Sequence, residues 1–260
     1  MSARDYIEDQ NVEYSALDTG NFQFQITEYL ESSTYITEKM KQDSFYMGEV
    51  MSQFVPKQAR AIMERFETDV LALANQQTAS DENLINGAAH RFVANGANEV
   101  MTVNDFARAR FSLKKANVPD ENLVAIVDPS VEYELNTITN ITNVSNNPMW
   151  QGILADGIAK GMRFVKNIYG FDVYVSNYLA DANETIGGKT TAAGKANLFF
   201  SASSDVLPFI GAWRQMPKVD SEFNKDKQRE EFVTTARYGV KLYRPENLVV
   251  VLADTDQINF

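Results

Sequence analysis

Gly188-Lys189-Thr190 comes nearest in this chain to a catalytic motif. A phosphate loop, GxxxxGK followed by Ser or Thr, cradles phosphates with backbone N–H groups and reaches them with its lysine. That pattern demands glycine at position 183, where the chain has Asn183. The loop must also join a strand to a helix, and Thr191–Lys195 (TAAGK) is a poor helix start. The stretch reads as a flexible surface loop. His90 is the only histidine, so a nucleophilic triad has one candidate base, and no GxSxG element accompanies it. A zinc site built on His90 would need carboxylates for every other ligand, because there is no cysteine. His90 therefore reads as a partly buried or loop residue. Glu230-Glu231 and Asp254/Asp256 are paired carboxylates, but acid–base work needs two carboxylates in unlike environments, which neighbours on a polar segment seldom supply. They read as solvated faces. The sequons at Asn140, Asn143 and Asn183 carry no meaning without a secretory signal. Trp150, Trp213, Phe199, Phe200 and Phe209 suit core or subunit contacts, with no polar group converging on them. The sequence assigns no catalytic residue, no cofactor-binding residue and no metal ligand, and the chain does not read as an enzyme.

Composition narrows the classes further. At 260 residues, the chain can bury a full core without staples. Its 44% hydrophobic and 23% charged content is ordinary for a globular protein. The formal charge of −11, with Lys and Arg scattered, argues against a surface built to grip nucleic acid, whose affinity comes from phosphate neutralisation. Met1–Tyr6 lacks the basic flank and apolar run of a signal peptide, and no window approaches 18 consecutive apolar residues. A soluble intracellular origin is the expectation.

The elements that would position these residues mix strands and helices without regular βαβ alternation, so the fold class is α+β. Residues 1–19 read as an extended arm. Phe22, Phe24 and Ile26 alternate as in a half-buried strand, and residues 27–41 suggest a projecting strand or hairpin without a core of its own. Met47, Val50, Met51, Phe54, Ile62, Phe66, Val70 and Leu73 form one helical stripe. Pro56 interrupts it, which predicts one helix ending near Phe54 and another with Pro56 in its first turn; a single kinked helix is the alternative. Residues 75–101 are loop-rich. Thr102 and Asp105 have capping-box spacing, Phe106, Ala109 and Leu113 supply a buried face, and Pro119 stops the helix. Leu123–Val127 predicts a strand covered on both faces, and Asp128-Pro129 a helix start running through Leu135. Residues 136–148 and 180–196 read as loops, and Phe171–Asn177 as a strand. Ala236–Ala253 (ARYGVKLYRPENLVVVLA) reads as a strand, a polar turn at Arg244-Pro245-Glu246-Asn247, and a wholly apolar strand that can close a sheet.

Four blocks carry a family resemblance: Met63–Gln76 (MERFETDVLALANQ), Thr102–Leu135, Tyr169–Asn177 (YGFDVYVSN) and Ala236–Ala253. Together, and in this order, they resemble a tailed-bacteriophage major capsid protein. The resemblance implies the Hong Kong 97-type fold. It implies an N-terminal arm at 1–19, an extended loop at 20–43, a first part of the peripheral domain with its spine helix at 44–101, an axial domain at 102–218, and the rest of the peripheral domain at 219–260. The part before the spine helix is short for this branch of the family. Some members cross-link a lysine to a neighbour's asparagine; Lys39 and Lys41 lie in the extended loop, but nothing identifies a partner asparagine. The function implied is a structural head protein that assembles with itself as pentamers and hexamers into an icosahedral shell around phage DNA. Separate scaffold and portal proteins, only weak non-specific contact with the DNA, no membrane and no cofactor go with that reading, as does assembly in the host cytoplasm. An encapsulin-like compartment shell and a nucleotide-binding enzyme using Gly188-Lys189-Thr190 are the alternatives.

Overall fold

The computed structural model describes residues 23–43, 47–137 and 167–255. Two sheets organise these residues. The first is built from β1 (Glu28–Thr37), β11 (Phe209–Asn224) and β12 (Arg229–Leu242), in the order β1-β12-β11, all neighbours antiparallel. β1 pairs with β12 without interruption, from Glu28 opposite Tyr238 to Thr37 opposite Arg229. Residues 27–41 thus do not project without a core. The even-numbered side chains of β1 share a face with Phe232, Thr234, Ala236 and Tyr238, and Ile36 is buried on it. The short helix α1 (Glu38–Asp43) follows directly, its first N–H bonded to the Gln228 carbonyl at the β11–β12 turn.

The helix α2 (Met47–Leu71) covers that buried face. It runs through Pro56, so the expected break near Phe54 does not occur. An interior proline removes one backbone bond and costs roughly 3 kcal/mol. Packing offsets it: Ile62 is buried, Phe66 lies 4.6 Å from Trp213 and 5.0 Å from Tyr238, and Tyr238 donates to Asp69 at 2.6 Å. Phe54, assigned to the same stripe by spacing, is exposed. Gln23–Thr27, expected as a strand, has no ladder in the structure; its backbone crosses β12 at Gly239 instead. Phe22 and residues 1–19 lie outside the described residues.

The second sheet has six strands, in the order β4-β13-β10-β5-β7-β6. These are β4 (Arg91–Val93), β5 (Leu123–Val127), β6 (Asn167–Ile168), β7 (Phe171–Val175), β10 (Gly194–Ser201) and β13 (Val249–Asp254). Two hairpins flank it, β2 (Leu84–Ile85) with β3 (Ala88–Ala89), and β8 (Thr185–Ile186) with β9 (Lys189–Thr190). Every residue of β13 is buried, because both faces of the sheet are covered. On one face Val249, Val251 and Phe199 meet the helices α3 (Val103–Lys115) and α4 (Pro129–Thr137). On the other, Leu248, Val250 and Leu252 meet Leu71, Leu179 and Ile186. Ala236–Ala253 therefore does not close one sheet; it passes from β12 in the first sheet to β13 in the second.

Local signals in α3 hold as the sequence predicts. The buried Asp105 carboxylate accepts from the Thr102 N–H at 2.8 Å and also from Asn95, anchoring the helix start. Phe106, Ala109 and Leu113 are buried, with Phe106 edge-on to Phe199 at 5.0 Å. The helix ends on Asn117 at φ 58°, with the Val118 N–H returning to the Leu113 carbonyl, a left-handed cap that asparagine tolerates. Asp128 accepts from the Ser130 N–H at 2.9 Å and starts α4.

Candidate functional site

The described residues that could have carried chemistry are dispersed, and each has a structural task. Gly187 and Gly188, at φ 60° and 80°, form the two-residue turn between β8 and β9, the left-handed geometry of a tight hairpin. No helix follows, so the backbone cannot cradle a phosphate in the manner of a phosphate loop. Lys189 donates instead to the Ala94 carbonyl at 3.1 Å and to Asn95 Oδ1 at 3.2 Å. Residues 180–196 are not a free loop. Arg91, fully buried, forks onto Glu184 through Nε at 2.9 Å and its terminal amine at 2.6 Å, and donates to the Ala74 carbonyl at 2.9 Å. The Glu184 carboxyl is held below its ordinary range by that guanidinium.

His90 is fully buried next to Arg91. Its Nδ1 lies 3.1 Å from the Ala88 carbonyl, its Nε2 has no hydrogen-bond partner among the described residues, and burial lowers its pKa. The ring is part of the buried interior beside Arg91. The paired carboxylates separate as well. Glu230 bonds Lys41, and Glu231 takes the Arg229 guanidinium at 2.6 Å. Asp254, expected on a solvated face, is buried and accepts from the Ala192 N–H at 3.0 Å, because the end of β13 lies under the 192–193 backbone. Asp256, Trp150, Asn140 and Asn143 lie outside the described residues. Asn183 accepts from the Gly194 N–H at 2.9 Å. Trp213 stacks against Phe66 and Tyr238, while Phe199 belongs to the sheet core and Phe200 packs on Phe209 at 5.5 Å. Among the described residues, no three His, Cys, Asp or Glu side chains gather as a metal site would require.

What the structure does build is surface. The sheet face away from α2 presents Tyr29 opposite Arg237, and Tyr35 beside Arg229, Glu231 and Val233; the Arg229 guanidinium sits 4.4 Å above the Tyr35 ring. Gln23–Thr27 crosses this face where Gly239 leaves room: a Cβ there would fall 2.5 Å from the Gln25 carbonyl oxygen. Lys241 secures the crossing by donating to the Gln23 carbonyl at 2.9 Å. A long helix lies under a long three-stranded sheet, and the second sheet packs against them through Leu71, Phe209 and Leu242.

The sequence model of a family described as phage capsid protein matches residues 22–251. The chain belongs to the phage capsid protein family. Solved structures agree on the fold. The capsid of the cyanophage P-SCSP1u matches with a TM-score of 0.66 at 19% identity, covering 98% of this chain and 81% of the other. The mature capsid of bacteriophage PhiM1 matches with a TM-score of 0.65 at 12% identity, covering 99% and 80%. The holo-SrpI encapsulin complex from Synechococcus elongatus PCC 7942 matches with a TM-score of 0.56 at 10% identity, covering 90% and 76%. No curated protein sequence matches. The fold is thus the Hong Kong 97-type capsid fold, and this capsid protein is a structural component of a phage head.

Sequence reasoning located α3, α4 and the strands β1, β5, β7, β12 and β13 of this capsid protein, and among what it missed are two tertiary features. Arg91 and Glu184 are far apart in the chain, and nothing local marks either as half of a buried pair. The Gly239 crossing had one signal, a glycine inside a strand pattern, which marks close backbone approach.

Proposed function

We propose that this capsid protein assembles, as pentamers and hexamers of identical chains, into a closed icosahedral shell that encloses phage DNA. The family match across residues 22–251 carries this reading. The dispersal of the described candidate groups among structural tasks supports it. In this reading, α2 is the spine helix of the peripheral domain, whose sheet is β1-β12-β11. The six-stranded sheet with α3 and α4 is the axial domain, to which β13 returns. This divides the chain by sheet membership, so residues 209–218 go with the peripheral sheet, and 91–93 and 249–254 with the axial one. Residues 1–19 serve as the arm, and 20–43 supply contacts between copies. Scaffold and portal proteins are separate chains, and assembly takes place in the host cytoplasm.

The encapsulin likeness rests on fold alone at 10% identity, and the family match favours a phage head. Particle content separates the two. Nuclease-treated particles from their native source should retain protected DNA. Particles that hold a folded protein cargo and no DNA would overturn the phage-head reading in favour of a compartment shell. A titration with ATP and magnesium should give no heat; saturable binding abolished by Lys189→Ala would revive the nucleotide reading.

A further inference from the structure

The strand edges of this molecule are guarded unequally. An open strand edge recruits other strands, and proteins blunt such edges with short strands, bulges, proline or lysine. At the six-stranded sheet, the edge strand β4 has three residues and β6 has two. The paired strands of each flanking hairpin have two residues. The β11 edge of the first sheet is long, but two register shifts between Trp213 and Lys218 break it, and Pro217 and Lys218 lie in or beside them. β1 has none of these devices. It has ten residues in unbroken register with β12, without proline, glycine or lysine, and its outer edge has no strand partner among the described residues. The lead-in at Gln23–Gln25 runs over Gly239 towards Lys241, on the β12 side, and leaves that outer edge clear.

We propose that the β1 edge is an assembly contact whose occupant is β1 of a second copy, paired antiparallel about a two-fold axis. The proposal rests on the shell reading and names one of its contacts. β1 is self-complementary in this arrangement. A two-fold pair keeps its α2-covered faces together only when a residue meets a residue of the same parity. Centred on Ser32, that register sets Tyr29 opposite Tyr35 on the exposed face, Leu30 opposite Thr34 on the covered face, and Glu31 opposite Ser33. No two carboxylates meet, and each two-fold pair gains two aromatic cross-strand contacts of the kind that stabilise sheets. The product is a continuous sheet, β11-β12-β1 followed by the partner's three strands in reverse order. Residues 1–22 suit the edge less well. They carry five acidic side chains, Asp5, Glu8, Asp9, Glu13 and Asp18, against one basic, Arg4, and would lie beside Glu28 and Glu31.

The chain contains no cysteine, so single-cysteine reporters are unambiguous. In the Ser32-centred register Ser32→Cys meets itself across the axis, and opposite residues of an antiparallel pair are close enough for a disulfide. Ser33→Cys reports the neighbouring in-phase register. Particles of one of these variants, mildly oxidised, should run mostly as covalent dimers on a non-reducing gel, whereas Ser221→Cys on the bulged β11 strand should stay monomeric. Intact particles in which both β1 variants stay monomeric would overturn the proposal, whether the edge is then taken by residues 1–22 or by nothing. Tyr29→Lys combined with Tyr35→Lys sets lysine against lysine and should cut particle yield at least tenfold while the thermal melt of the subunit is retained; unchanged yield would count against the pairing. If the unaltered protein forms no particles, the shell reading fails, and the same oxidation of the soluble protein decides the β1 contact by itself.

Discussion

Val250 lies in the middle of β13 with no solvent exposure, between strands β10 and β4. Val250→Asp would bury an unpaired carboxylate there, at a cost of several kcal/mol, comparable with the whole stability of a domain. The expected outcome is insoluble or unfolded protein, read by soluble yield and circular dichroism. The Arg91–Glu184 fork gives a graded comparison. Glu184→Gln leaves a buried guanidinium without its counter-charge and should cost about 3–5 kcal/mol in a denaturant titration. Lys189→Ala removes two half-exposed hydrogen bonds and should cost about 1 kcal/mol. His90 predicts a pH dependence of definite sign. Burial lowers its folded pKa beneath the ordinary 6.5, so the unfolded chain binds the proton more readily. Its contribution is intact above that pH and is lost as pH falls below it. His90→Gln should flatten the stability profile below about pH 6.5, checked by denaturation at several pH values. At this scale the sequence was legible where partners are local, as with Thr102 and Asp105 or Asp128 and Ser130. It was silent where they are distant, as with Arg91 and Glu184 or Asp254 and the Ala192 backbone.

At the scale of elements, periodicity and capping located α3, α4, β5 and β7, because each carries its own start, stop and buried face. At Pro56 the helix continues, as in the single-helix alternative, and the expected break is absent. A local rule predicts a break there, but the sheet surface presented by Trp213, Thr234 and Tyr238 holds the helix across the lost bond. Pro56→Ala should therefore keep the fold and raise stability by up to about 3 kcal/mol, read in the same denaturant titration. β1 shows the opposite limit. Its polar, β-branched run suggested a projecting strand or hairpin, but its partner lies some two hundred residues downstream, so no local pattern could say that it is the edge of a sheet. Gly239 joins the two. In Gly239→Ala the new methyl group would collide with the Gln25 carbonyl, displacing residues 23–27 and costing about 1–3 kcal/mol. Faster hydrogen exchange across residues 24–30 is the expected signature.

For the whole molecule, the family match makes this a structural capsid protein. A helix of 25 residues lies under strands of 14 and 16 residues, and the six-stranded sheet shares a core with them through Leu71, Phe209 and Leu242. Such a body suits repeated moderate contacts with copies of itself. That conclusion was legible in the sequence through the order of the four family-like blocks and the lack of any complete catalytic motif. The division of the C-terminal run between two sheets was not, since each of its strands is compatible with either. The central claim is shell assembly, and electron microscopy of the purified full-length protein, expressed with the scaffold of its phage, tests it most directly. Closed particles of uniform diameter with five- and six-fold capsomers are the predicted result. A protein that stays a small monomer in the presence of that scaffold would contradict the account.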